Sequence, residues 1–158
     1  MNAAAHIGAE PRRTALEAGG AAVHTVEHLL AAACGLGIDT LRVELDGPEL
    51  PGLDGSARDY VDLLDRAGPV DLPERRRVLS LREAITVTGG PGERIVFGPD
   101  AAPGLVIEYT LDYPGTPLPR QELQVRVDES AYRAAIAPAR TFCLLAEAEA
   151  LRKAGFGK

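Results

Sequence analysis

Apolar residues recur at helical spacing near the start of the chain, where Val26, Leu29, Leu30 and Ala33 fall on one face of a 3.6-residue period. Thr25 just ahead of them predicts an N-cap. Gly35 and Gly37 predict the helix end, because glycine takes the left-handed conformation that helix C-termini favour. Residues 41–46, Leu-Arg-Val-Glu-Leu-Asp, alternate apolar and polar and predict a strand buried on one face, broken by Gly47-Pro48. Ser56 then predicts a second helix cap, with Asp59 as a first-turn carboxylate that suits the helix dipole. Ala57, Tyr60, Val61, Leu64 and Ala67 share the face of that helix, and Gly68-Pro69 stops it. Residues 1–22, rich in Ala, Gly and Arg with no period, read as a loose lead-in.

From Gly68 to Arg77 the composition turns to Pro, Glu and Arg, which marks the expected domain boundary; the run Arg75-Arg76-Arg77 reads as a solvated linker. Beyond it the pattern is β. Residues 84–88 and 94–97 alternate around the turn Gly89-Gly90-Pro91-Gly92, and residues 105–111 and 121–127 form two further strand candidates around a proline-rich loop at 113–119. Leu123, Val125 and Val127 share one face. Asp128 predicts the cap of a short helix reaching about Ile136 ahead of Pro138. A last helix is expected over 144–153, with Leu144, Ala148 and Leu151 on one side, Glu149 four residues before Lys153, and Gly155 as C-cap. No internal repeat is visible.

The 158 residues suffice for one ordinary domain or two small ones with a buried core. With 17 Lys and Arg against 23 Asp and Glu, the formal charge of −6 argues against a nucleic-acid partner, which needs a basic face. At 46% hydrophobic and 25% charged, the chain has the balance of a soluble globular protein. No apolar run is long enough for a membrane span, and Met1-Asn2-Ala3-Ala4-Ala5-His6 lacks the character of a secretory leader. Cys34 and Cys143 stand far apart on apolar helix or turn positions, where small buried hydrophobes are expected. They suggest neither a disulfide framework nor a metal knot, and the reducing cytoplasm is the expected compartment.

Candidate chemistry concentrates in His24-Thr25-Val26-Glu27-His28. Three readings compete. These are ordinary first-turn polar residues, with Glu27 favouring the helix dipole and His28 bonding locally; or His24 and His28, four apart, chelate a metal; or His28 is a single metal ligand with Glu27 as the general base beside it. The neighbouring motifs bear on the choice. Thr25-Val26-Glu27-His28-Leu29-Leu30-Ala31-Ala32, Gly35-Leu36-Gly37-Ile38-Asp39, Gly47-Pro48-Glu49-Leu50-Pro51 and Asp54-Gly55-Ser56-Ala57 follow in close order, and far downstream come Ala137-Pro138-Ala139-Arg140-Thr141-Phe142 and Gly155-Phe156-Gly157-Lys158. In this combination, from about Arg12 to the last residue, the chain resembles the UDP-3-O-acyl-N-acetylglucosamine deacetylases, the zinc amidases of lipid A biosynthesis.

The resemblance implies an α+β fold of two domains facing each other, each a small β-sheet with two helices, both incomplete here. Residues 1–72 would supply the end of the first domain and 73–158 the beginning of the second. It implies that His28 is a zinc ligand, that Glu27 is the general base, that Thr141 steadies the tetrahedral oxyanion, and that Phe142 touches the substrate, a UDP-linked acylated amino sugar. His24 matches no ligand of the family, and Asp54-Gly55-Ser56-Ala57 is given only a turn and a helix cap. The family's remaining ligands, a His and an Asp from a downstream His-Lys-x-x-x-Asp-type helix, and its general-acid His have no counterpart here, since the histidines are His6, His24 and His28. The strands that open the family's first domain are also expected to be missing ahead of residue 12. The chain is thus expected to be an internal piece of such a deacetylase, truncated at both ends, and by itself inactive and nearly free of zinc. The alternative is a degenerate family member that keeps the scaffold and binds without chemistry.

Overall fold

A computed structural model describes residues 6–8, 13–76, 78–90 and 92–155. In chain order they form β1 (His6–Gly8), β2 (Ala15–Ala18), β3 (Ala21–His24), α1 (Glu27–Gly35), α2 (Arg58–Ala67), β4 (Ile85–Thr88), β5 (Arg94–Phe97), β6 (Leu105–Leu111), β7 (Gln121–Val127), the short α3 (Glu129–Ala131), a π-helical stretch Tyr132–Ile136, and α4 (Leu145–Lys153). The class is mixed α+β, as expected. Two compact units divide the chain: Met1–Gly68 with Tyr132–Lys158, and Pro69–Ala131. Among the described residues no helix is long and apolar enough to cross a membrane.

The first unit holds a three-stranded antiparallel sheet in the order β1-β2-β3. The segment expected to be a loose lead-in therefore carries strands, and one of them lies ahead of residue 12. The signal overlooked there is a hairpin: Ala18 pairs with Ala21 across Gly19-Gly20, whose φ angles of 59° and 83° are those a two-residue type I′ turn demands. Short strands rich in alanine hide behind weak alternation.

Helix α1 begins one residue later than its expected cap implies. Val26 occupies the N-cap position, with no side-chain cap bond, and Thr25 instead sits at φ 58° with its hydroxyl committed to Glu49. The helix ends as expected, in a Schellman pattern: Ile38 N–H donates to Ala33 C=O at 2.8 Å and Gly37 N–H to Cys34 C=O at 3.1 Å. Ser56 lies one residue before the N-cap position of α2, taken by Ala57, and its Oγ accepts the Arg58 N–H at 3.3 Å. The Gly68 stop, at φ 72°, agrees with expectation. Residues 41–46 form no strand. Arg42 and Glu44 do share a polar face, joined at 2.7 Å, but Leu41, Val43 and Leu45 stay exposed, because alternation makes a strand only where a ladder partner is present.

Every buried apolar residue among those described belongs to the first unit: Ala15, Val26, Leu29, Ala32, Ala33, Leu50, Ala57, Tyr60, Val61, Leu64, Tyr132 and Ala137. The stripes of α1 and α2 meet there, but Leu30 of α1 and Ala67 at the end of α2, both assigned to those faces by spacing, are exposed. Tyr132 lays its ring against the backbone of Gly35, where a Cβ would collide with it. Arg133 clamps Asp65 of α2 with two bonds of 2.7 and 2.9 Å, which hold the Asp65 carboxyl below its ordinary pKa. Helix α4 has Glu147 reaching back to the Leu144 N–H at 2.8 Å; Leu144, Ala148 and Leu151, which the spacing puts on one side, are half-buried together with Glu147, and no residue of the helix is fully buried. Cys34 and Cys143 are exposed rather than buried.

The second unit consists of two antiparallel ribbons, β4-β5 and β6-β7, followed by α3. Their strand positions agree with the alternation. In β4-β5 Ile85 faces Phe97 and Val87 faces Ile95; in β6-β7 Ile107 faces Val125 and Tyr109 faces Leu123. Leu123 is exposed where Val125 and Val127 are half-buried. Asp128 accepts the Ala131 N–H at 2.7 Å, the cap expected of it. Arg77 and Pro91 lie outside the described residues, as do Phe156, Gly157 and Lys158 of the last motif.

The Gly35–Tyr132 contact generates a test. Gly35→Ala should lower stability by about 1–3 kcal/mol through overpacking, outweighing a helix-propensity gain of at most about 1 kcal/mol. The urea midpoint measures it. The loss should shrink when Tyr132→Ala is already present, since the two positions share one contact.

Candidate functional site

The site is built where β3 hands over to α1. His24, the last residue of β3, donates its N–H to Pro48 C=O at 2.8 Å, and its carbonyl accepts the Leu50 N–H at 3.1 Å. This fixes residues 48–50 alongside the strand end, with Glu49 in a parallel bridge to His24. Two residues on, α1 is moored to Thr14 from both sides. The Val26 N–H donates to Thr14 C=O at 3.2 Å, and the Thr14 N–H donates to Glu27 Oε2 at 3.0 Å. The first-turn carboxylate is therefore held by one oxygen and offers the other.

His28 follows, half-buried, and its ring has no hydrogen bond to another described residue. The reading in which His28 bonds locally as an ordinary first-turn residue gains nothing from this. Tyr60 of α2 is buried near enough to feel the Glu27 charge. Its hydroxyl donates to Pro51 C=O at 2.6 Å, and burial first, with the Glu27 charge second, pushes its pKa up. His24 is fixed through its backbone in the sheet. Among the described residues no three His, Cys, Asp or Glu side chains gather to hold a metal. A catalytic zinc takes three protein ligands, so His28 offers part of a site and these residues alone do not fit the ion.

Thr141 and Phe142 are brought into the same unit by a contact that spacing along the chain does not reveal. The turn Asp54-Gly55-Ser56-Ala57 is locked from inside. Asp54 Oδ1 accepts the Ser56 hydroxyl at 2.6 Å and the Ser56 N–H at 2.9 Å, while Oδ2 accepts Arg58 at 3.1 Å. These bonds hold the Asp54 carboxyl at about 2, well under its ordinary 3.8, the Ser56 hydroxyl contributing most. The outer edge of the turn then receives the downstream motif. Ala57 N–H donates to Ala137 C=O at 3.0 Å, Thr141 N–H to Gly55 C=O at 2.8 Å, and Arg140 Nε to Asp54 C=O at 2.8 Å across 86 positions of sequence. Gly55 has φ 81°, and a Cβ there would stand 3.3 Å from Thr141 Cγ2, so the seat accepts only glycine comfortably.

Sequence reasoning gave this turn no chemistry; its role as the seat of Thr141 appears only in three dimensions. The Thr141 hydroxyl makes no hydrogen bond to another described residue, and Phe142 is exposed. Thr25, Glu49 and Arg140 were likewise missed as parts of the site, although all three lie within or beside motifs already picked out.

A family model described as UDP-3-O-acyl N-acetylglycosamine deacetylase matches residues 2–158. Among curated proteins the chain is 37% identical over 145 residues to a UDP-3-O-acyl-N-acetylglucosamine deacetylase of Anaeromyxobacter sp. strain Fw109-5, covering 92% of this chain and 47% of that protein. It is 38% identical to the protein of that name from Anaeromyxobacter dehalogenans (92% and 46% covered) and 34% identical to that from Helicobacter pylori (92% and 48%). The chain thus spans about half the length of these relatives.

The depressed Asp54 pKa fixes the acid behaviour of the turn. A carboxylate whose folded pKa is lowered stabilises the fold above its unfolded value and loses that contribution as pH falls through the folded one. The turn should therefore be fully held above pH 3.8 and released only near about 2. Carboxyl-carbon NMR should find that midpoint for Asp54, and Ser56→Ala should move it up toward 3.8. A wild-type midpoint at the ordinary value would contradict the geometry.

Proposed function

The chain belongs to the UDP-3-O-acyl N-acetylglycosamine deacetylase family, and on that footing we propose that it forms part of a zinc-dependent amidase removing the N-acetyl group of UDP-3-O-acyl-N-acetylglucosamine in lipid A biosynthesis. The observation that carries the reading is the mooring of Glu27. Its Oε2 is engaged by the Thr14 amide, which leaves the other carboxylate oxygen to take a proton, one residue before the His28 imidazole in the first turn of α1. A base must be held in place to be efficient, and a bond through one oxygen does this without consuming the other. Thr141, its amide fixed on Gly55 C=O and its hydroxyl unspent, is proposed to donate to the oxyanion that forms when the amide carbon turns tetrahedral. Phe142 is proposed to contact the sugar nucleotide, an exposed aromatic ring beside the hydroxyl donor.

His28 is proposed as the one zinc ligand this chain supplies, the others coming from the part of the family length it does not span. Zinc, when bound, supplies Lewis acidity toward the amide carbonyl and a water of lowered pKa. The domain division at 1–72 and 73–158, in a two-domain sandwich, belongs to the same proposal, as does the cytoplasm as its compartment.

A chimera tests this, with the chain replacing the matching stretch of the Anaeromyxobacter dehalogenans relative. It should release acetate from the acylated UDP-sugar. Glu27→Gln should cut kcat by about 10²–10⁴-fold, and Thr141→Val by about 10²–10³-fold. A folded chimera that hydrolyses equally well with Glu27→Gln and His28→Ala sinks the assignment. One that folds and binds the sugar nucleotide without hydrolysis favours the non-catalytic scaffold.

The chain expressed by itself should carry zinc far below one ion per molecule, because a single imidazole holds the ion weakly. Metal analysis of the purified chain checks this.

A further inference from the structure

Thr25 is the one residue of the β3-to-α1 connection held in a conformation its chemistry disfavours. At φ 58° a β-branched side chain lies in the left-handed region, where such residues are genuine outliers. Strain of this kind persists only where neighbouring groups over-determine it. Here the neighbour is visible. Thr25 Oγ1 donates to Glu49 Oε1 at 2.6 Å, and the same oxygen accepts Arg13 Nη1 at 3.4 Å. The backbone that carries Glu49 is itself pinned, through the His24 N–H on Pro48 C=O and the Leu50 N–H on His24 C=O. The carboxylate is therefore delivered to Thr25 by a strap independent of α1.

We propose that Glu49 is a positioning residue for the deacetylase site, holding Thr25 left-handed so that α1 sets out in the direction that presents Glu27 and His28. The next residues show why direction matters. Val26 N–H and Glu27 Oε2 both bond Thr14, one as donor and one as acceptor, and a rotation of the Thr25 backbone swings both away together. The Thr25 hydroxyl is the main cause of the depressed Glu49 pKa, with Arg13 and His24 adding to it against partial desolvation. The carboxylate is thus the ionised, strong acceptor at neutral pH. The role assigned to Glu49 rests on the functional reading of Glu27 and His28. The local geometry does not.

Amide hydrogen exchange in the chain and turnover in the chimera test the two layers separately. The reporters are the Val26 N–H, which bonds Thr14, and the Leu30 N–H, which bonds Val26 C=O. Glu49→Ala and Thr25→Val should each speed their exchange about tenfold. Glu49→Gln, which keeps a side-chain carbonyl acceptor, should recover most of the protection. Thr25→Gly needs no partner to reach positive φ, so Thr25→Gly with Glu49→Ala should exchange like Thr25→Gly alone. In the chimera, Glu49→Ala should lower kcat while KM stays within about twofold, as expected when an interaction made only in the transition state is lost.

Exchange unchanged in both single variants overturns the proposal. So does a double variant as loose as Glu49→Ala alone, which would mean that Glu49 acts elsewhere than through residue 25. Exchange that responds with kcat unmoved removes the positioning role. If the exchange pattern holds while Glu27→Gln keeps full turnover, the strap stands and the functional reading beneath it falls.

Discussion

A turn that lacks one Cβ lets two distant stretches of this chain lie against each other. At Gly55 the backbone takes φ 81° and leaves open the space into which Thr141 packs. The Ala137 carbonyl, the Thr141 amide and the Arg140 guanidinium can then all reach the turn. The turn can serve as a seat because it is rigid before anything sits on it, with Asp54 bonded twice to Ser56 and once to Arg58. Turns with internal carboxylate bonds resist rearrangement, so the outward carbonyls of Asp54 and Gly55 stay fixed in direction. A larger residue at position 55 would disturb the packing of Thr141 and the location of its hydroxyl together.

The same economy governs the other half of the site. The Glu27 carboxylate is placed by an amide of the strand segment before it, and the strap at residues 48–50 places the residue that turns the chain toward Glu27. Tyr60 ties the two halves. It lies in the helix whose first turn follows the Asp54 loop, its hydroxyl is anchored to Pro51, and the Glu27 charge is felt at its ring. The candidate residues Glu27, His28, Thr141 and Phe142 thus share one compact unit, although the chain leaves that unit at Gly68 and returns at Tyr132 between them. All the described buried apolar side chains lie in that unit too, which gives its polar groups a fixed frame.

What could be read from the sequence follows from how local each signal is. Strands β6 and β7 and the helix stops at Gly37 and Gly68 were legible, because alternation and glycine act within a few residues. The hairpin β2-β3 was overlooked although its Gly19-Gly20 turn was in plain view, because alanine-rich strands give little contrast between faces. Residues 41–46 showed the opposite failure: good alternation without a ladder partner. Thr25 was misread for a subtler reason. Threonine before a helix is a sound cap signal, but here its hydroxyl is claimed by Glu49, 24 positions away, and the N-cap position falls to Val26. Glu27, His28, Thr141 and Phe142 were picked out by motif. The contacts that hold Glu27 and Thr141 in place, from Thr14 and Gly55, lie far off in sequence and carry no local signature.

The two units also divide the physical labour unequally. The ribbons β4-β5 and β6-β7 expose Ile85, Val87, Ile95, Phe97, Tyr109 and Leu123, and no described residue between Pro69 and Ala131 is buried. Two-stranded ribbons are marginal by themselves, since most of their surface stays in water. Cross-strand pairs such as Ile107 with Val125 add only about 0.2–1 kcal/mol each. The first unit, by contrast, packs two helices and the ring of Tyr132 and can hold groups in strained arrangements such as Thr25 at positive φ. Strain of that kind survives only against a well-packed background. The chemistry proposed for this chain belongs in the unit that can bear it.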